Sequence, residues 1–148
     1  MKKKSTFCAG AVIALVVFSV SAALAQPGDP PSCTAGQWNL SASAATVSNG
    51  GQVSIYAVYQ AGGCPKAGTI TVNKTSTFVS ATPSLPVNPT IPECINDPDA
   101  ECQTSGQILV GTFTLTHSQT SASQITFQIT GITGGHTAGS SVVVTVNP

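Results

Sequence analysis

Charge is the scarcest property of this 148-residue chain, since 7% of its residues are charged and arginine is absent. Three of the five lysines are Lys2, Lys3 and Lys4, so the chain beyond residue 25 sets two lysines against five carboxylates. Phosphate neutralisation requires a basic patch. We therefore expect no nucleic-acid binding, and the same shortage of cations argues against binding to an anionic membrane surface.

Long apolar runs are missing after Gln26, and the run before it has the features of a secretory signal peptide. The lysines form a charged n-region, Ala11–Phe18 is the apolar heart, and Ala23-Leu24-Ala25 provides an A-x-A cleavage site. The apolar run falls short of the ~20 residues that a membrane span needs. We expect a signal peptide over residues 1–25, a bacterial protein secreted to the periplasm or the medium, and no membrane span in the mature chain.

Helical periodicity is absent as well, because no segment after residue 25 keeps a helical period over three turns. Short segments of period two with β-branched residues on both faces recur instead, as is typical of half-buried strands. Weaker strands are predicted over Trp38–Val47 and Thr77–Ala81. About seven short strands in all predict an all-β, antiparallel sandwich. The positions expected on the repeating inner faces are Val53, Ile55, Ala57, Tyr59, Ile70, Val72, Leu109, Gly111, Phe113, Leu115, Ile125, Phe127, Ile129, Val142, Val144 and Val146.

Proline and glycine divide the mature chain. Residues 26–37 predict an extended N-terminal lead, and residues 38–148 predict a single sandwich domain. Within it, the repeated prolines of residues 83–105 disfavour a regular central strand and predict a long acidic loop.

Four cysteines remain after the signal peptide, and an even number in an exported chain indicates two disulfides. The sequence permits three pairings. We favour Cys94–Cys102, which are close in sequence, and Cys33–Cys64 by elimination. A zinc site is the alternative, although the spacings are not C-x-x-C.

The loop that contains Cys94 and Cys102 also concentrates the acidic residues. Asn96, Asp97, Asp99 and Glu101 place oxygen ligands at short intervals, which makes calcium a possible ligand of the loop. Glu93 at its start is a further candidate binding residue. The alternative is a solvated acidic loop whose proline and aspartate residues form turns.

Catalytic signatures are lacking. There is no Gly-x-Ser-x-Gly elbow, and no nucleophile or acid–base pair can be identified. His117 and His136 fall at predicted strand ends, where we expect solvated loop histidines. Tyr56 falls on the polar face of its strand and is a candidate for stacking on a glycan. We expect a protein that is not an enzyme.

Three stretches resemble the bacterial immunoglobulin-like modules of exported and surface proteins. They are Thr46–Val53, with its Gly-containing turn before an apolar strand, Gly111–Leu115, and the closing Val/Thr run Ser140–Val146. The resemblance covers residues 38–148 and implies an immunoglobulin-like sandwich.

The chain departs from the antibody pattern in three places. No cysteine lies in Val53–Tyr59 or Ile125–Ile129, no tryptophan lies in Ile70–Val72, and no tyrosine marks the corner before Ile125. The resemblance therefore concerns architecture, which hosts many functions.

The leading functional hypothesis is a secreted, non-enzymatic immunoglobulin-like module with a structural or protein-interaction role at or outside the cell surface. Its expected partner is another extracellular or surface protein. The alternatives are a small domain that binds calcium or glycan, and a pilin-like subunit. Against the pilin alternative, the sequence predicts a complete last strand over Val142–Val146.

Overall fold

A computed structural model describes residues 33–61, 64–92 and 106–148, where every regular element is a strand, which confirms the all-β prediction. Among these residues there is no helix long and apolar enough to cross a membrane. The strands are β1 (Cys33–Thr34), β2 (Gln37–Ala42), β3 (Thr46–Ser48), β4 (Gln52–Tyr59), β5 (Cys64–Pro65), β6 (Gly68–Thr75), β7 (Ser80–Thr82), β8 (Thr90–Ile91), β9 (Gln107–Thr116), β10 (Ser123–Ile132), β11 (Thr137–Ala138) and β12 (Val142–Asn147).

Two five-stranded sheets account for ten of these strands. Sheet I has the order β3-β12-β10-β6-β8, sheet II has the order β11-β2-β4-β9-β7, and β1 and β5 form a separate parallel pair. Inner side chains of both sheets join in one apolar core, in which Phe113 of sheet II lies 5.3 Å from Phe127 of sheet I, measured between ring centroids. The molecule is therefore a β-sandwich.

Alternation correctly identified most of the core. On β4 and β6 each apolar residue on the predicted inner face is buried, and Val144 and Val146 of β12 are buried too. The twelve strands exceed the predicted number of about seven, because pairings of two or three residues leave no visible alternation in the sequence.

The predicted first strand, Trp38–Val47, is divided between the two sheets. β2 pairs with β4 in sheet II, and the chain then crosses to sheet I, where β3 pairs in parallel with β12. The last part of the chain makes the same crossing, since β11 pairs with β2 and β12 pairs with β3 and β10. Two neighbouring segments thus change sheets together and join the sheets along one side.

The opposite side of the sandwich is joined by residues 80–91. β7 pairs with β9 of sheet II, whereas Val87 and β8 pair with β6 of sheet I. Part of the segment predicted as an irregular loop over residues 83–105 is therefore paired backbone. Residues 93–105 lie outside the described ranges.

A β-bulge changes the face of β9. Ile55 pairs with Gly111 and the next residue, Tyr56, pairs with Leu109, so Val110 is the additional residue. The extra residue reverses the alternation: Val110 is buried, and Leu109, which was predicted to face the core, is 53% exposed. Glycine suits position 111, because a Cβ there would lie 3.0 Å from the Phe113 ring.

Candidate functional site

The acidic-loop candidates cannot be placed in the fold. They lie outside the described residues, so the calcium site and the Cys94–Cys102 pair stay predictions. In the part of the chain that the structure describes, no group of three or more His, Cys, Asp or Glu residues is arranged to hold a metal ion. The candidates concerned are Glu93, Cys94, Asn96, Asp97, Asp99, Glu101 and Cys102.

The other two cysteines lie opposite each other in the small parallel pair. Cys33 of β1 and Cys64 of β5 are Cα partners, and Cys64 is buried. Their register supports the predicted Cys33–Cys64 bond, which remains a prediction to be tested by mapping.

His136 is buried, which makes the expectation of a solvated loop histidine wrong. Its Nε2 lies 2.9 Å from the Lys66 carbonyl oxygen. A carbonyl can only accept, so Nε2 carries the proton, and Nδ1 accepts a hydrogen bond of 3.1 Å from the Gly36 amide. One imidazole thus holds the backbone that follows β1 to the backbone that follows β5.

Trp38 and Tyr59 complete an aromatic cluster around His136. The His136 ring stands edge-on to both rings, with centroid distances of 5.8 Å to Trp38 and 5.9 Å to Tyr59. The Tyr59 hydroxyl donates to the Thr34 carbonyl at 2.9 Å and contacts the Thr34 hydroxyl at 2.8 Å. Gly36 permits this packing, because a Cβ there would lie 2.8 Å from the Tyr59 ring. The cluster fixes the β1–β5 pair to the end of the sandwich.

His117, the second histidine, is also buried, contrary to the sequence-based expectation. Asn49 brackets its backbone, accepting from the His117 amide at 3.0 Å and donating to the His117 carbonyl at 2.9 Å. The backbone N–H of Asn49 donates to the Asn147 carbonyl at 2.8 Å, so Asn49 links the end of β9 to the end of β12. His117 Nδ1 accepts from the Gln119 amide at 3.2 Å.

Tyr56, the glycan candidate, is half-buried on the outer surface of sheet II. Its register partners are Ser41 of β2 and Leu109 of β9, so the three side chains form one row across the sheet. In the next row, Val58 pairs with Gln107. We call the outer surface of β2, β4 and β9 around this residue the Tyr56 face.

The described residues enclose no cavity or cleft. Three large apolar side chains instead face outward, namely Phe78 at 59%, Leu109 at 53% and Val143 at 45% exposure. Sequence reasoning missed the exposure of Leu109, since it follows from the bulge.

Within the described ranges, both ring nitrogens of His136 and the Nδ1 of His117 contact backbone groups. The described residues form a β-sandwich that exposes several large apolar side chains to solvent. No protein-family model matches the chain, and no curated protein or solved structure is significantly similar to it.

Proposed function

We propose that this protein is an exported, non-enzymatic module of the immunoglobulin-like class with a structural or protein-interaction role. The strand order supports this class. Immunoglobulin domains place strands A, B, E and D in one sheet and G, F and C in the other. The order β2-β4-β9-β7 corresponds to the first set and β12-β10-β6 to the second.

One observation carries the functional part of the proposal. The two histidines, whose imidazoles could act as acid or base, form hydrogen bonds within the fold, whereas large apolar side chains are exposed to solvent. Both histidines are buried, but Phe78 is 59% exposed. Burying an exposed apolar side chain against a partner is favourable.

The loop that carries Phe78 is ordered by hydrogen bonds that do not involve its ring. The Ser76 hydroxyl accepts from the Val79 amide at 2.9 Å and donates to the Gln124 carbonyl at 2.9 Å. The Lys74 ammonium donates to the Val79 carbonyl at 2.8 Å. A fixed loop loses little conformational entropy on association, which favours Phe78 as an anchor for a protein partner.

The pilin-like alternative gains no support from β12. A subunit completed by a donated strand lacks its own final strand, whereas β12 pairs with β3 on one side and β10 on the other.

The proposal can be tested by photo-cross-linking in the producing bacterium. A photoreactive phenylalanine analogue is placed at position 78 and, as a control, at the exposed position 119. We expect a discrete protein adduct outside the cytoplasm from position 78 and none from position 119. Retention in the cytoplasm, or the same adducts from both positions, would contradict the proposal.

A further inference from the structure

The Tyr56 face combines an apolar centre with uncharged polar surroundings. Tyr56 and Leu109 are adjacent in register, and the half-buried Val58 lies two residues along β4 on the same side. Around them stand hydroxyl and amide groups of Ser41, Gln107 and Thr112. These residues belong to the three central strands of sheet II, so the surface is formed before any ligand arrives.

Leu109 does not belong to the apolar core of the described residues. Its side chain is 53% exposed, because the bulge turns Val110 inward in its place. The result is an aliphatic side chain beside an aromatic ring on a sheet surface that also carries hydroxyl and amide side chains. Such a pairing enlarges the apolar area that a ligand can cover.

The charge pattern decides which ligand suits this surface. Arginine is absent from the chain. Of the two lysines beyond residue 25, Lys74 lies on sheet I with its ammonium bonded to the Val79 carbonyl, and Lys66 follows β5. Among the described residues of the Tyr56 face there is no Asp, Glu, Lys or His. The described residues of this face therefore offer no opposite charge to an anionic or cationic ligand, and a neutral ligand would lose no charge solvation on them.

We propose that the Tyr56 face binds a neutral polysaccharide. The apolar C–H face of a pyranose ring stacks on Tyr56 and extends over Leu109. Its hydroxyl groups exchange hydrogen bonds with Ser41, Gln107 and Thr112, whose hydroxyls and amide can both donate and accept. This inference goes beyond the proposed function, because it depends on this face alone and not on the fold class.

The outer face of sheet I provides a comparison within the same molecule. It carries polar uncharged residues too, with Thr126 paired to Val143 and Gln124 paired to Thr145. Among its described residues there is no aromatic side chain. An exposed β-branched residue there, Val143, is therefore a matched control for the apolar centre of the Tyr56 face.

The test uses the mature chain, residues 26–148, with insoluble cellulose and chitin and with soluble xylan, mannan and amylose as probes. Retention is measured by pull-down and by affinity electrophoresis. We expect retention by at least one probe and a loss of about tenfold or more in affinity for Tyr56→Ala. Gln107→Ala should also weaken retention, Tyr56→Phe should keep most of it, and Val143→Ala should match the wild type.

Thermal melting of each variant separates loss of binding from loss of folding. Absence of retention on every probe would overturn the inference, as would equal retention by folded Tyr56→Ala. A protein adduct from a photoreactive residue at position 109 would overturn it in favour of a protein partner. None of these results bears on the cross-linking test at position 78, so the two proposals fail separately.

Discussion

Truncation of Phe127 to alanine is the most direct test of the sandwich core. The side chain is fully buried and its ring lies 5.3 Å from that of Phe113 in the opposite sheet. Removing it forfeits about 2–3 kcal/mol of apolar burial and about 0.5–1.5 kcal/mol of ring–ring interaction. The cavity that remains adds a further penalty, so we expect a total loss of ~3–5 kcal/mol, as for other large core truncations.

Urea unfolding followed by intrinsic fluorescence and circular dichroism measures this loss. Thermal unfolding provides a second measurement. At roughly 4 °C per kcal/mol for a domain of this size, the melting temperature should fall by roughly 12–20 °C. Phe78→Ala is the matched control, because the same atoms are removed from a side chain that is 59% exposed. We expect that variant to stay within about 0.5 kcal/mol of the wild type. Equal effects of the two substitutions would refute the assigned register of β10.

Three further predictions concern His136, the disulfide pairing and the acidic loop. His136→Ala should lower the free energy of unfolding by about 2–4 kcal/mol, since it leaves the Lys66 carbonyl and the half-buried Gly36 amide without their partner; a change below about 0.5 kcal/mol would contradict the structural role. Peptide mapping without reduction should show a Cys33–Cys64 cross-link and a second one within the acidic loop, and a cross-link between the two regions would refute both pairings. Calcium titration should raise the melting temperature of the wild type but not of Asp97→Asn/Asp99→Asn, and no shift at millimolar calcium would remove the calcium hypothesis.

The sequence predicted those parts of the fold in which local pattern and tertiary environment agree. Along β4, the inward side chains recur at every second residue from Val53 to Tyr59, and all four are buried. A strand with one buried face needs such alternation, so the pattern specifies the face as well as the strand.

Other parts depended on interactions that alternation does not encode. The bulge at Val110 reversed the face of Leu109, and its position is set by the pairing with Ile55 and Tyr56 far away in the sequence. The division of Trp38–Val47 between two sheets likewise depends on which neighbours each half meets. Strand pattern gives the period of a segment, but not the partner on either side.

The histidines show the same limit for the candidate site. His136 follows the turn after β10, where a loop histidine is normally solvated. Its ring nitrogens are bonded because β1 and β5 pair with each other, so that Gly36 after β1 and Lys66 after β5 supply backbone groups on its two sides. Nothing adjacent to His136 in the sequence signals this environment.

The joint crossing of β2–β3 and β11–β12 has a mechanical consequence. The two segments run in the same direction and pair in parallel twice, at Gln37 with Thr137 and at Thr46–Ser48 with Thr145–Asn147. Tension applied between Gln37 and Pro148 pulls these partners lengthwise past each other. All the hydrogen bonds of the two pairs then bear load simultaneously in shear, rather than breaking one after another as in a peeled hairpin. The two parallel pairs should therefore resist tension along this axis better than a hairpin whose strands separate from one end.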